Sequence, residues 1–143
     1  MSSQDEFAEA LRARAQSAQG KHSIRAGDVY VVDDRALNLP SALTRTMHES
    51  RHVIVVQSER FTNLPQQKTV MVVPCSKSYG IGPFDCEFED ENGFAPGVVK
   101  VFVSLIQPLL KTDLGKRKGS ITTQSLLGLR SQLLLGLGIP IRE

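Results

Sequence analysis

"VVPCSKSYG", residues 72–80, has a hard edge in it. An apolar run that belongs in a core meets Pro74 and then a cluster of small polar groups, Cys75, Ser76, Lys77 and Ser78. As a strand, the stretch carries hydroxyls and an ammonium to the end of a buried element. The apolar run is the end of "TVMVVP" (69–74), and the same kind of β-branched run, bounded by turn formers, recurs in "GDVYVVD" (27–33), "HVIVVQ" (52–57) and "VVKVFVSLI" (98–106). "FDCEFED" (84–90) alternates: Phe84, Cys86 and Phe88 face one side, and Asp85, Glu87 and Glu89 the other. Pro108 restricts continuation of the last strand.

Helices flank these runs. In "SQDEFAEALRARAQSAQG", Ser3 and Glu6 have capping-box spacing and Gly20 is a stop. Its apolar face, Phe7 and Leu11, is thin, which predicts a loosely attached appendage over residues 1–23. Near the other end Thr122 caps a helix running to about Leu135, with Leu126, Leu129, Leu133 and Leu137 on or near one stripe. Between strands and helix lies a basic loop, "KTDLGKRKGS" (111–120). A helix, several short antiparallel strands and a helix describe an α+β, mostly β fold: a small, strongly bent sheet or barrel over residues 24–143 with helices covering it.

Composition narrows the class. The chain has 143 residues, 41% of them hydrophobic and 22% charged, which is the composition of a single globular domain. Seventeen basic and fifteen acidic side chains leave a net charge of +2, so local patches must decide whether nucleic acid binds. Cys75 and Cys86 have no metal-site or redox-motif spacing and read as free buried thiols, which fits a reducing cytoplasm. The acidic first residues read as no secretory signal, and no apolar run is long enough to span a membrane.

In order, "GDVYVVD", "RHVIVVQSERFTN", "VVPCSKSYGIGPFDCEFE" and "KGSITTQSLLGLRSQLLLGLG" resemble the four motifs of the MazF/PemK family of toxin endoribonucleases, over residues 26–139. The resemblance implies a small SH3-like or CcdB-like barrel of antiparallel strands with a C-terminal helix, here with an added N-terminal helix. It further implies a homodimer that cuts single-stranded RNA at short sequences, with neither metal nor cofactor. A partner antitoxin would block the RNA groove with a peptide. Arg51 stands at the family arginine, and Ser76 where a threonine is usual. His52 replaces a proline and Lys77 the next threonine.

Metal-free RNA cleavage takes the adjacent 2′-hydroxyl as nucleophile. The protein must accept its proton, stabilise the charge that develops at phosphorus and protonate the departing 5′-oxygen. The charge effect is usually largest, and the planar fork of an arginine suits it. Arg51 is therefore expected to hold its head at an exposed rim, beside the Ser76 hydroxyl, because the start of one strand lies next to the end of its antiparallel neighbour. For the base, His48 fits by pKa and position, whereas His52 points to the other face of a regular strand. Lys77, Lys116, Arg117 and Lys118 are the expected phosphate contacts, with Lys111 in the same basic segment. Tyr79 and Phe61 are the candidate stacking platforms. The acidic run "EFEDEN" is expected to face away from the groove.

Two other functions remain open on the same fold. One is a CcdB-like topoisomerase poison, against which the absence of Trp and the ending "GIPIRE" weigh. The other is a catalytically inactive interaction module, which His52 and Lys77 favour.

Overall fold

Strand β3, Thr69–Ser76, organises the molecule because it pairs along both edges. The computed structural model describes residues 5–6, 23–40, 50–76, 85–89 and 98–140. Its strands are β1 Asp28–Asp33, β2 Ser50–Val55, β3, β4 Cys86–Glu89, β5 Val98–Val101, β6 Gln107–Leu110 and β7 Arg117–Ser120. Its helices are the single turn α1, Glu59–Thr62, and α2, Thr123–Gly136. All seven strands join one antiparallel sheet in the order β4-β5-β3-β2-β1-β7, with β6 also on β3.

One edge of β3 meets β2. The other meets β6 over Thr69–Val72 and β5 over Cys75–Ser76. Val101 lies opposite Cys75 and Gln107 opposite Val72, so the chain between β5 and β6 makes a detour through a 3-10 turn at Val103–Leu105. The detour explains how a proline sits inside β3. The Pro74 carbonyl accepts from the Phe102 N–H at 3.0 Å, so the side of Pro74 that lacks an N–H faces the gap between β5 and β6. Pro108 is placed by the same logic. It lies opposite Met71, whose carbonyl accepts from Val56 N and whose N–H donates to Gln57 Oε1, both just past β2, so its missing donor points to the outer edge of β6.

The sheet must curl. From Leu110 to Gly115, whose N–H bonds Val31 O at 2.7 Å, there are five steps including a 3-10 turn at Lys111–Asp113. Those steps cover roughly 13 Å, whereas four strand spacings in a flat sheet span about 19 Å. Both faces are buried. On one, Tyr30, Val32, Val53, Val55, Val70 and Val72 pack with Ile24, Leu37, Leu109 and Leu114. On the other, Val29, Ile54, Val73, Val99 and Val101 pack under α2 through Leu126, Leu129 and Leu133. Each fully buried aliphatic side chain contributes about 1.5–3 kcal/mol. Thr122 caps α2, its Oγ1 accepting from Ser125 N at 3.1 Å, and Arg130 ties the helix to Val56 O at 3.1 Å.

Several expectations change. The strand foreseen over 98–106 ends at Val101, and the basic segment foreseen as a loop contains β7. Leu137 is 74% exposed instead of joining the α2 stripe. Cys75 and Cys86 both lie opposite Val101, two strand spacings apart, too far to bridge; neither is in a disulfide, and Cys86 is half-buried where a buried thiol was expected. Of the N-terminal helix, residues 5–6 are helical and the rest lies outside the described residues. No described helix is long and apolar enough to cross a membrane.

Two glycines test this account by opposite signs. A Cβ on Gly115 would meet Val31 O at 2.5 Å, whereas at Gly128, on the open side of α2, it meets nothing within 4 Å. Gly115→Ala is expected to lower stability by about 1–3 kcal/mol, and Gly128→Ala to raise it by about 1 kcal/mol. Urea unfolding of the two variants measures both.

Candidate active site

The C-terminal end of β1, the N-terminal end of β2 and the C-terminal end of β3 meet at one end of the sheet. Val32 lies opposite Arg51, and Asp33 opposite Ser50. After β1 the chain makes a 3-10 turn, Asp34–Ala36. Asp33 caps it, its Oδ1 accepting from Arg35 N at 2.8 Å, and is itself gripped by the Arg35 guanidinium at 3.2 and 2.9 Å. Those bonds from Arg35 lower the Asp33 carboxyl pKa to about 2. The turn brings the Asp34 carboxylate onto Arg51, whose Nε donates to Asp34 Oδ1.

Arg51 is not the exposed rim charge that the sequence predicts. Its side chain is 8% exposed and that of Asp34 15%. The reason is alternation. Arg51 shares a face with Val53 and Val55, so its stem is covered by the core around Val32. A buried guanidinium needs a counter-charge, and Asp34 supplies it.

The β2–β3 register pairs Val53 with Pro74 and His52 with Cys75. One step further sets Arg51 opposite Ser76. Ser76 then faces Lys100 on β5, and Lys100 faces Glu87 on β4. Directly opposed residues share a face. The result is a single row across the sheet: Val32, Arg51, Ser76, Lys100, Glu87. It runs from dry core to open surface, since Arg51 is buried, Ser76 and Lys100 are half-buried and Glu87 is exposed. Two consequences were not foreseen. Asp34 and Lys100 are members of the constellation, and Glu87 of the acidic run faces the same side as Arg51.

The remaining candidates are distributed differently. His52 points to the face of Cys75 and Ile54, opposite Arg51. Burial, and then the nearby Lys118, pushes its imidazole pKa down. His48, Lys77 and Tyr79 lie outside the described residues. Lys116, Arg117 and Lys118 are all exposed. Lys116 comes nearest the Arg51 end, its carbonyl accepting from Val31 N at 2.9 Å. Arg117 is engaged by the buried Asp28 at 3.2 Å, beside Tyr30, whose phenol burial raises to about 12. Lys111 leaves this group and sits beside Lys68 at the far end of β3. Phe61 is on α1, which follows β2, so it occupies the opposite end of the sheet from Arg51. Among the described residues, no three His, Cys, Asp or Glu side chains gather as metal ligands.

This curled sheet with its closing helix is the fold of several solved toxins. One is a Mycobacterial endoribonuclease in complex with its cognate antitoxin, 17% identical, covering 84% of this chain and 98% of that one, TM-score 0.62. Another is the Mycobacterium tuberculosis toxin MazF-mt6, 14% identical over 80% and 99% of the two chains, TM-score 0.60. A third is MazF from Deinococcus radiodurans, 13% identical over 82% and 99%, TM-score 0.62. No curated protein sequence matches. Residues 25–137, which include the seven described strands, α1 and α2, match the family of PemK-like, MazF-like toxins of type II toxin–antitoxin systems, and the chain belongs to that family.

The buried pair makes an energetic prediction. Arg51→Ala and Asp34→Ala should each destabilise by about 3–5 kcal/mol, since each strands a buried charge. The double variant should cost clearly less than the sum of the two, whereas additive costs in urea unfolding would show that the charges are uncoupled. His52 makes a prediction in pH. Its folded pKa lies below the unfolded value near 6.5, so the unfolded chain binds the proton more readily. Stability should hold above about pH 6.5 and fall as pH drops through that value. His52→Gln should flatten the slope in unfolding midpoints measured between about pH 7.5 and about pH 5.5.

Proposed function

We propose that this chain is an endoribonuclease toxin that cuts single-stranded RNA at short sequence words without a metal. It acts as a homodimer in the cytoplasm and is neutralised by a partner antitoxin. The observation that carries this reading is the Arg51–Ser76 row at the strand ends of a member of this toxin family. The similar solved structures include an endoribonuclease with its cognate antitoxin, which supports the same partner for this chain.

The 2′-oxygen attacks phosphorus, the bond to the 5′-oxygen breaks and that oxygen takes a proton from water, leaving a cyclic phosphate and a 5′-hydroxyl end. Arg51 neutralises the charge developing on the phosphoryl oxygens. Asp34 holds the Nε edge and so fixes the plane of the fork. The Ser76 hydroxyl donates to a phosphoryl oxygen. His48 takes the 2′-proton in our reading. A second reading gives that step to the Asp34 carboxylate, on the ground that it already lies against Arg51. The rival function, an inactive interaction module, draws on the same ion pair, since a buried Arg–Asp bridge also serves structure alone.

Purified protein incubated with single-stranded RNA should leave discrete cuts with 5′-hydroxyl ends, in EDTA as well as without it. Arg51→Lys keeps the charge opposite Asp34 and loses the fork, and should lower kcat by roughly 100- to 1,000-fold. Ser76→Ala should cost less, and Ser76→Thr almost nothing. Intact RNA, or full activity in Arg51→Lys with the fold retained, refutes the mechanism.

A further inference from the structure

We propose that Lys100 is a phosphate-binding residue of the RNA groove, holding a backbone phosphate next to the one at Arg51. The assignment rests on the endoribonuclease reading and extends it to a residue inside an otherwise apolar strand.

Three observations converge. The first is placement. Lys100 is directly opposite Ser76, and so two strand spacings, about 9–10 Å, from Arg51 along one row. Val99 and Val101 on either side of it are fully buried on the opposite face, which fixes the strand and directs Lys100 to the Arg51 face. The second is availability. Arg35 is held by Asp33, Arg51 by Asp34 and Arg117 by Asp28. Among the described residues Lys100 forms no ion pair, not even with Glu87 across from it. The third is environment. Lys100 is half-buried, so a packed stem carries its ammonium to the margin of the dry part of the row. A cation there is less screened than one on the open surface.

Glu87 sets the limit of the groove. A phosphate drawn toward Lys100 meets a carboxylate one strand further on, so the RNA backbone must turn before β4 instead of crossing it. Arg51 and Lys100 thus divide the work. Arg51 contacts the reacting phosphate, and Lys100 contacts a neighbour that binds equally in ground state and transition state.

The test uses the full chain with two probes: a 2′-O-methyl single-stranded RNA, which lacks the nucleophile, and the same RNA with its 2′-hydroxyls. Lys100→Ala should reduce the log–log salt slope of binding by about 0.7, the value for one phosphate contact on a single strand. Between 50 and 200 mM salt its affinity should then fall about 2.6-fold less than wild type's. On cleavable RNA, KM should rise with kcat unchanged. Lys100→Arg should restore binding, and Glu87→Gln should tighten it. A wild-type salt slope and KM in Lys100→Ala, with wild-type cleavage intact, overturns the assignment alone. A wild-type chain that neither binds nor cuts RNA overturns the endoribonuclease reading and this assignment together.

Discussion

β3 has to satisfy two edges with three partners, and much of the fold follows from how it does so. Its β2 edge is continuous. Its other edge is shared between β6 and β5, with a 3-10 turn bulging out between them. Pro74 sits opposite that bulge, so a residue that would break a ladder falls where no ladder hydrogen bond is missing. Because β5 takes over only at Cys75 and Ser76, the end of β3 is held by β2 up to Cys75 and by β5 through Ser76. The residue at the mouth of the sheet, Ser76, is therefore a strand residue whose register opposite Lys100 fixes its face.

The Arg51–Asp34 bridge is the second constraint. A guanidinium on the core face would be costly alone, and the turn after β1 answers that cost with one carboxylate. The turn is held by Asp33 as its cap, and Asp33 by Arg35. Four charged groups in sequence thus determine the plane of one fork. On the endoribonuclease reading, a simple alanine variant of Arg51 would therefore merge two effects, loss of the folded state and loss of transition-state charge stabilisation. That is why the conservative lysine is the informative change.

The central strands were legible in the amino-acid sequence because both of their faces are buried, and runs such as "HVIVVQ" and "TVMVVP" contain little else. The N-cap Thr122 and the stripe Leu126, Leu129 and Leu133 of α2 were legible from capping chemistry and helical spacing, whereas Leu137, which spacing adds to that stripe, is exposed. β6 and β7 were not legible. Pro108 reads as a terminator unless it is known which side of the strand is open, and "RKGS" carries no apolar pattern because an exposed edge strand is held by its backbone. Arg51 and Ser76 stood out through a resemblance, but the burial of Arg51 depends on a partner 17 residues away. Lys100 was hidden altogether. In "VVKVF" it reads as the solvent side of an alternating strand, and only the register through Ser76 brings it to Arg51.

That register also arranges the site along a gradient of solvation. At the Arg51 end the row abuts Val32 and Val53, where little water competes and a fixed charge acts at low effective dielectric. At the Lys100 end the face opens, and at Glu87 it is exposed. Electrostatic stabilisation of a developing charge is largest in the dry part, whereas attraction of a long polyanion needs only partial desolvation. One cross-strand row can thus serve two tasks with no change of fold. On the endoribonuclease reading, the position of each residue between core and solvent decides whether its charge works on the reaction or on holding the strand in place.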